Sequence, residues 1–138
     1  PETQAILPRL RSDLLEAILA VVNSKLSKFK RLSSWSWDSR RCICVVCASG
    51  GYPGEYEKGK EIFGLDKVKN MKDIVIFHAG TKKSNGKYLT CGGRVLGVAG
   101  LGETLKEAID YTYQAVGKIH FEGMHYRRDI GKKALINE

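Results

Sequence analysis

Thr104-Leu105-Lys106-Glu107 is a capping box: the Thr104 hydroxyl can accept from the Glu107 backbone N–H while the Glu107 carboxylate reaches back to the cap. A helix must start there. Behind the box, Leu105, Ala108, Ile109, Thr112, Val116 and Ile119 recur at spacings of three and four, making one apolar stripe. A helix apolar on one side has to cover something, and the preceding segments read as strands. The chain is therefore expected to lay this helix on a sheet, an α+β arrangement.

Arg41 to Ala48 (RCICVVCA) is a run of β-branched and small apolar residues closed by Ser49-Gly50-Gly51, which predicts a buried strand. Asp73 to Ala79 (DIVIFHA) predicts a second strand ending at Gly80. It is followed by KKSNGK, whose Asn85-Gly86 pair is a strong hairpin signal, and Tyr88 to Cys91 is expected to return antiparallel. Arg94 to Val98 reads as a further strand after the Gly92-Gly93 break.

At the other end, apolar residues from Ile6 to Val22 follow helical spacing, interrupted by Pro8 and by Ser12-Asp13. Ser12 is the expected N-cap of a helix from 13 to about 23. Asn23 to Arg40 shows no sustained period and reads as a connection, with Trp35 and Trp37 expected to lie against the domain that follows.

With 138 residues and 43% hydrophobic side chains, the sequence supplies one compact core. No stretch approaches the roughly 20 apolar residues of a membrane helix, and no signal segment opens the chain. It begins at Pro1, with its apolar pattern starting at once, so a piece of a longer, soluble polypeptide is expected. The net charge of +8 suggests an anionic partner without choosing one. The cations fall in short groups (Lys28, Lys30 and Arg31; Arg40 and Arg41; Lys82, Lys83 and Lys87; Arg127 and Arg128; Lys132 and Lys133), as on solvated faces. Cys42, Cys44 and Cys47 lack the paired C-x-x-C spacing of a zinc site, and a strand would point Cys47 away from the other two. Buried, reduced thiols in a reducing cytoplasm are expected instead.

Three glycine clusters stand out: SGGYPGEYEKG at 49–59, Gly92-Gly93 before Arg94, and GVAGLG at 97–102. Such turns let a ligand approach the backbone. The last has the order G-x-x-G-x-G, not the dinucleotide fingerprint, and no Walker lysine follows any of them, so Rossmann and P-loop sites are excluded. Arg94 is the side chain singled out by chemistry: a guanidinium just after two glycines can grip a phosphate or carboxylate with both arms. The alternative is a surface salt bridge at a strand start. Arg127 and Arg128 either hold an anion or close the tail through Asp129. His78, His120 and His125 show no metal spacing and no nucleophile beside them, and receive no catalytic role.

PETQAILPRLRSDL at 1–14, ASGGYPGEYEKGKEIFGL at 48–65, FHAGT at 77–81, GGRVLGVAGLGETLKEA at 92–108 and KIHFEGMHYRRDIG at 118–131, in this order, resemble the C-terminal part of the glycinamide ribonucleotide synthetase family. The resemblance implies an ATP-grasp ligase of the purine pathway. It activates glycine with ATP to an acyl phosphate, which the amine of 5-phosphoribosylamine attacks. It also implies a small antiparallel β-rich C-terminal domain of barrel-sandwich hybrid type at 41–138, a linker at 24–40 and the last helices of the ATP-grasp domain at 1–23. The nucleotide and magnesium ligands of the family (manganese being the alternative metal) precede the segment matched here, so ATP and metal are expected on the rest of the same enzyme. This chain alone is then expected to be inactive.

The positions carried over as facing the substrate cleft are Ser49, Gly50, Gly51, Tyr52, Pro53, Gly54 and Arg94, with Glu2 lining it from the ATP-grasp side. Glycine and 5-phosphoribosylamine are the implied ligands, with neither nucleic acid nor membrane as partner. Two rivals are another ATP-grasp carboxylase or ligase, and a small basic RNA-binding module drawing on the +8 charge and on Trp35, Trp37, Tyr52 and Tyr56. No RNA-binding signature accompanies those aromatics.

Overall fold

The structure, a computed structural model, describes residues 2–25 and 36–136. Trp35, Lys28, Lys30 and Arg31 lie outside the described residues. The elements are α1 (Glu2–Ile6), a 3-10 turn (Leu7–Arg9), α2 (Leu14–Val22), β1 (Arg41–Ala48), α3 (Leu65–Val68), β2 (Ile74–His78), β3 (Thr81–Ser84), β4 (Lys87–Thr90), β5 (Arg94–Gly102), α4 (Leu105–Val116) and α5 (Lys132–Leu135). The arrangement is mixed α/β with antiparallel sheets. A three-stranded sheet has the order β1-β5-β2, and β3 and β4 form a separate ribbon.

β5 is the centre of the sheet and is longer than expected, because the GVAGLG segment is strand and not a ligand-binding turn. Val98 lies opposite Val45 on one side and Ile76 on the other, so Gly97, Gly100 and Gly102 occupy ladder positions. Their lack of side chains is explained by what crosses them. A Cβ on Gly100 would sit 2.3 Å from the Thr112 hydroxyl, and one on Gly102 would sit 2.4 Å from the Ala108 backbone nitrogen. Bare backbone lets α4 settle directly on β5. Val45, Val95, Val98, Ala108, Ala115, Val116 and Phe121 are then all essentially sealed from solvent. Each of the larger of these contributes roughly 1.5–3 kcal/mol by leaving water.

The capping box of α4 forms as expected: Glu107 N donates to Thr104 Oγ1 at 3.1 Å, and Glu107 Oε2 accepts from Glu103 N and Thr104 N. Thr112, fully buried, satisfies its hydroxyl on Ala108 O at 2.6 Å. The helix ends at Val116 with Gly117 as C-cap, so Ile119 is buried beyond the helix and not on it. The Asn85-Gly86 turn takes positive φ at both residues, as a two-residue hairpin requires. It returns β4 onto β3 (Ser84 opposite Lys87), whereas β2 pairs with β5. β1 matches its predicted bounds. All four cysteines are free thiols, and burial pushes Cys47 up to about 12 and Cys44 up to about 11.

The N-terminal segment departs from expectation at its cap. Asp13, not Ser12, caps α2, accepting from Leu15 N at 2.7 Å; the Ser12 hydroxyl accepts from Ser36 N instead. A carboxylate at the cap adds charge to the hydrogen bond, which favours Asp13 over its neighbour. Trp37 forms a backbone bridge with Leu10 of the preceding segment and is 45% exposed. Asp38 joins these parts. Only 8% exposed, it takes the Arg11 guanidinium and two arms of Arg40, while Arg40 reaches Asp73 at the start of β2 at 2.7 Å.

Two tests follow from this packing. Gly100→Val forces a branched side chain into α4 and should lower the unfolding free energy by about 2 kcal/mol or more in urea titration. Gly86→Asn meets no atom in the open turn but must hold a positive φ, so it should cost less, about 1 kcal/mol. The Arg40 side chain, then its backbone N–H, then Arg11 hold the Asp38 carboxyl far below the ordinary carboxylate range. The stability it provides is thus fully present above its unfolded pKa, near 4, and is lost as pH falls through the lower folded value. Asp38→Asn should lower Tm at pH 7, and the gap from the parent chain should narrow steadily below about pH 4; a gap independent of pH would rule this assignment out.

Candidate functional site

β5 begins at Arg94, and the start of that strand meets the turn that closes β1. Ser49 N donates to Gly93 O at 2.8 Å and the Ser49 hydroxyl to Gly92 O at 2.9 Å, tying the two segments together. Tyr52 lies directly on Gly93, where a Cβ would stand 2.1 Å from the ring. The phenol is thereby laid beside Arg94. On the face of the sheet away from α4, α1 packs against β1 and β5 and brings Glu2, Thr3 and Gln4 to the same place.

The result is an open cleft of about 600 Å³ whose polar wall is Glu2, Gln4, Tyr52, His78 and Arg94, with Val46, Phe77, Leu96 and Gly97 as its floor. Arg94 is exposed, and among the described residues its guanidinium makes no hydrogen bond or ion pair. The Glu2 carboxyl is held below its ordinary range, first by a backbone hydrogen bond at its own residue; the Arg94 charge is one of the smaller contributions. A cation and a carboxylate in one cleft suit a ligand that carries an anionic group and an amine.

Of the residues singled out from the sequence, Glu2, Tyr52 and Arg94 line this cleft together. Ser49, Gly50, Gly51, Pro53 and Gly54 form the turn behind Tyr52 and do not line it. Ser49 is 4% exposed and spends its hydroxyl on the backbone, and Gly50 abuts Gly123, whose oxygen would be 2.9 Å from an added Cβ. Arg127 does not join the cleft: its guanidinium makes a two-armed pair with Asp129 at 2.9 and 2.6 Å, the structural alternative. Arg128 rests over the Tyr126 ring. His78, Gln4 and Phe77 were not singled out by sequence chemistry, yet they line the cleft. The FHAGT segment was the available signal for two of them. The His78 ring is held at Nδ1, 2.9 Å from Thr81 Oγ1.

Among the described residues no cluster of three or more His, Cys, Asp or Glu side chains could hold a metal ion, and no helix is long and apolar enough to cross a membrane.

Over residues 42–133 the sequence matches the family described as "Phosphoribosylglycinamide synthetase, C domain". It is 50% identical over 135 residues to the phosphoribosylamine–glycine ligase of Synechocystis sp., covering 98% of this chain and 31% of that relative. It is 47% identical over 135 residues to a trifunctional purine biosynthetic protein of Gallus gallus, covering 98% of this chain and 13% of the relative. The crystal structure of phosphoribosylamine–glycine ligase from Thermotoga maritima superposes with a TM-score of 0.56 at 45% identity, covering 64% of this chain and 21% of that one. The chain spans about a third or less of the length of these relatives. These likenesses show that the chain belongs to the phosphoribosylglycinamide synthetase family and carries its C domain.

Proposed function

We propose that this chain forms one wall of the active site of an ATP-dependent ligase that joins glycine to 5-phosphoribosylamine, giving glycinamide ribonucleotide, ADP and phosphate. The single observation that carries this reading is the exposed Arg94 guanidinium, which makes no hydrogen bond or ion pair among the described residues, in an open cleft that also holds Glu2 and Tyr52. 5-Phosphoribosylamine has a phosphate and an amine, and glycine has a carboxylate and an amine, so each pairs with the two charges of the cleft. Arg94 grips the anionic group, Tyr52 walls the cleft beside it and Glu2 faces the amine.

In the reaction, the amine nitrogen bonds to the carbonyl carbon of glycyl phosphate, the carbon–oxygen bond to phosphate breaks, phosphate leaves with the electron pair, and the proton lost from the amine passes to the departing phosphate. The contribution of this chain is to orient the amine and neutralise charge, the terms that dominate such transfers. ATP supplies the phosphoryl group. In this reading nucleotide and metal belong to the remainder of the enzyme.

The domain plan follows the same reading: residues 1–23 are the last helices of the ATP-grasp domain, 24–40 the linker, and 41–138 a C-terminal domain of barrel-sandwich hybrid type, in a cytoplasmic enzyme. Helix α2 supports it. Ala17 and Ala20 are buried, but Leu15, Ile18, Val21 and Val22 are exposed by 49 to 73%, an apolar surface suited to packing against further protein.

Arg94→Ala in the full-length enzyme should lower kcat/KM by about tenfold or more, equivalent to about 1.4 kcal/mol. Unchanged kinetics would remove Arg94 from the site.

A further inference from the structure

Glycine and 5-phosphoribosylamine each carry an anion and an amine, but they differ in span and in neutral polar groups. In glycine a single carbon separates the two charges. In phosphoribosylamine the phosphate and the amine stand at opposite ends of a ribose ring that also carries hydroxyls. The cleft at Arg94 has features that choose between them. One is an unspent donor. Gly93 is buried, and among the described residues its N–H donates to no acceptor, although its carbonyl accepts from Ser49 N at 2.8 Å. Buried backbone donors are almost always paired, and this residue lines the cleft beside Arg94. A phosphate has enough terminal oxygens to take both arms of a guanidinium and a backbone N–H together.

Another is an amide without a partner. Gln4 lies over the bare backbone of Gly97, where a Cβ would stand 3.8 Å from the Gln4 Cγ, and the Gln4 amide makes no hydrogen bond among the described residues. An amide both donates and accepts, as a sugar hydroxyl does, and glycine has no hydroxyl to offer it. Spacing points the same way. Glu2 comes from α1 and Arg94 from β5, and the Arg94 guanidinium forms no ion pair with Glu2 although both line the cleft. Charged groups that share a cleft without touching suit a ligand whose own charges lie at its two ends. At about 600 Å³ the cleft is also of the size that encloses a phosphorylated sugar, whereas glycine would leave most of it to water.

We propose, resting on the ligase reading, that this cleft is the phosphoribosylamine subsite and not the glycine subsite: Arg94 and the Gly93 N–H hold the phosphate, and the Gln4 amide holds the ribose hydroxyls. The test varies each substrate separately in the full-length enzyme. Arg94→Lys keeps the charge but loses the two-armed grip, and Gln4→Leu keeps the shape but loses the amide. Each should raise KM for phosphoribosylamine by about fivefold or more and leave KM for glycine unchanged. Ribose 5-phosphate, which lacks the amine, should inhibit the parent enzyme competitively against phosphoribosylamine. It should also slow hydrogen exchange at the Gly93 amide, which saturating glycine should not do. A rise in KM for glycine alone, a fall in kcat with both KM values unchanged, or protection of Gly93 by glycine overturns the subsite assignment while leaving Arg94 in the active site. Kinetics untouched by either variant would remove the cleft from the active site altogether, and the ligase reading of this cleft would fall with the subsite.

Discussion

Gly100 and Gly102 leave no side chain where α4 crosses β5, and the distance between that helix and the sheet is set by this absence. Everything on the buried side of the sheet is scaled to it. Thr112 turns its hydroxyl back onto its own helix, and Ala108 and Ala115 are small at the contact. Valines at 45, 95, 98 and 116 fill what remains. Interiors are packed too densely for such a contact to be loosened locally, so a larger residue at these glycines must move the helix or bend the strand.

That constraint reaches the cleft because β5 is also the strand that starts at Arg94. With its far half clamped between β1, β2 and α4, its first residues are held in place. The Ser49 turn is bonded to Gly92 and Gly93 and sets Tyr52 alongside. The other wall is held by charge. Asp38, gripped by Arg11 and Arg40, with Arg40 also on Asp73, ties the N-terminal segment to the starts of β1 and β2. Backbone bonds from Asp38 to Arg9 and from Arg11 to Ser36 run beside it. Packing thus positions the cation of the cleft, and an ion-pair network positions the segment that carries its carboxylate.

The sequence made some of this legible and hid the rest for physical reasons. The capping box at Thr104, the Asn85-Gly86 turn and the RCICVVCA strand are local devices whose chemistry lies within a few residues, and each appears where read. GVAGLG reads as a turn in sequence but is strand, because glycine signals either conformational freedom or close approach, and only the helix lying across it shows which. The Asp13 cap is itself local, but the Ser12 hydroxyl is taken by Ser36 and Trp37 pairs with Leu10, contacts across the chain that no window contains. Arg94, Tyr52 and Glu2, singled out in the sequence, line one cleft, whereas the glycines around Tyr52 form the turn's framework. Gln4 and His78 enter the cleft only because α1 and β2 end beside it.

The proposed division of labour, with substrate orientation on this chain and nucleotide and metal on the remainder, leads to one direct measurement. ADP release dependent on ATP, glycine and 5-phosphoribosylamine is followed for this chain alone, for the remaining portion alone, and for the two joined in the full-length enzyme. The account predicts turnover only in the joined protein. Turnover by either part alone at the rate of the whole would contradict it, since the cleft at Arg94 would then not be a necessary wall of the site.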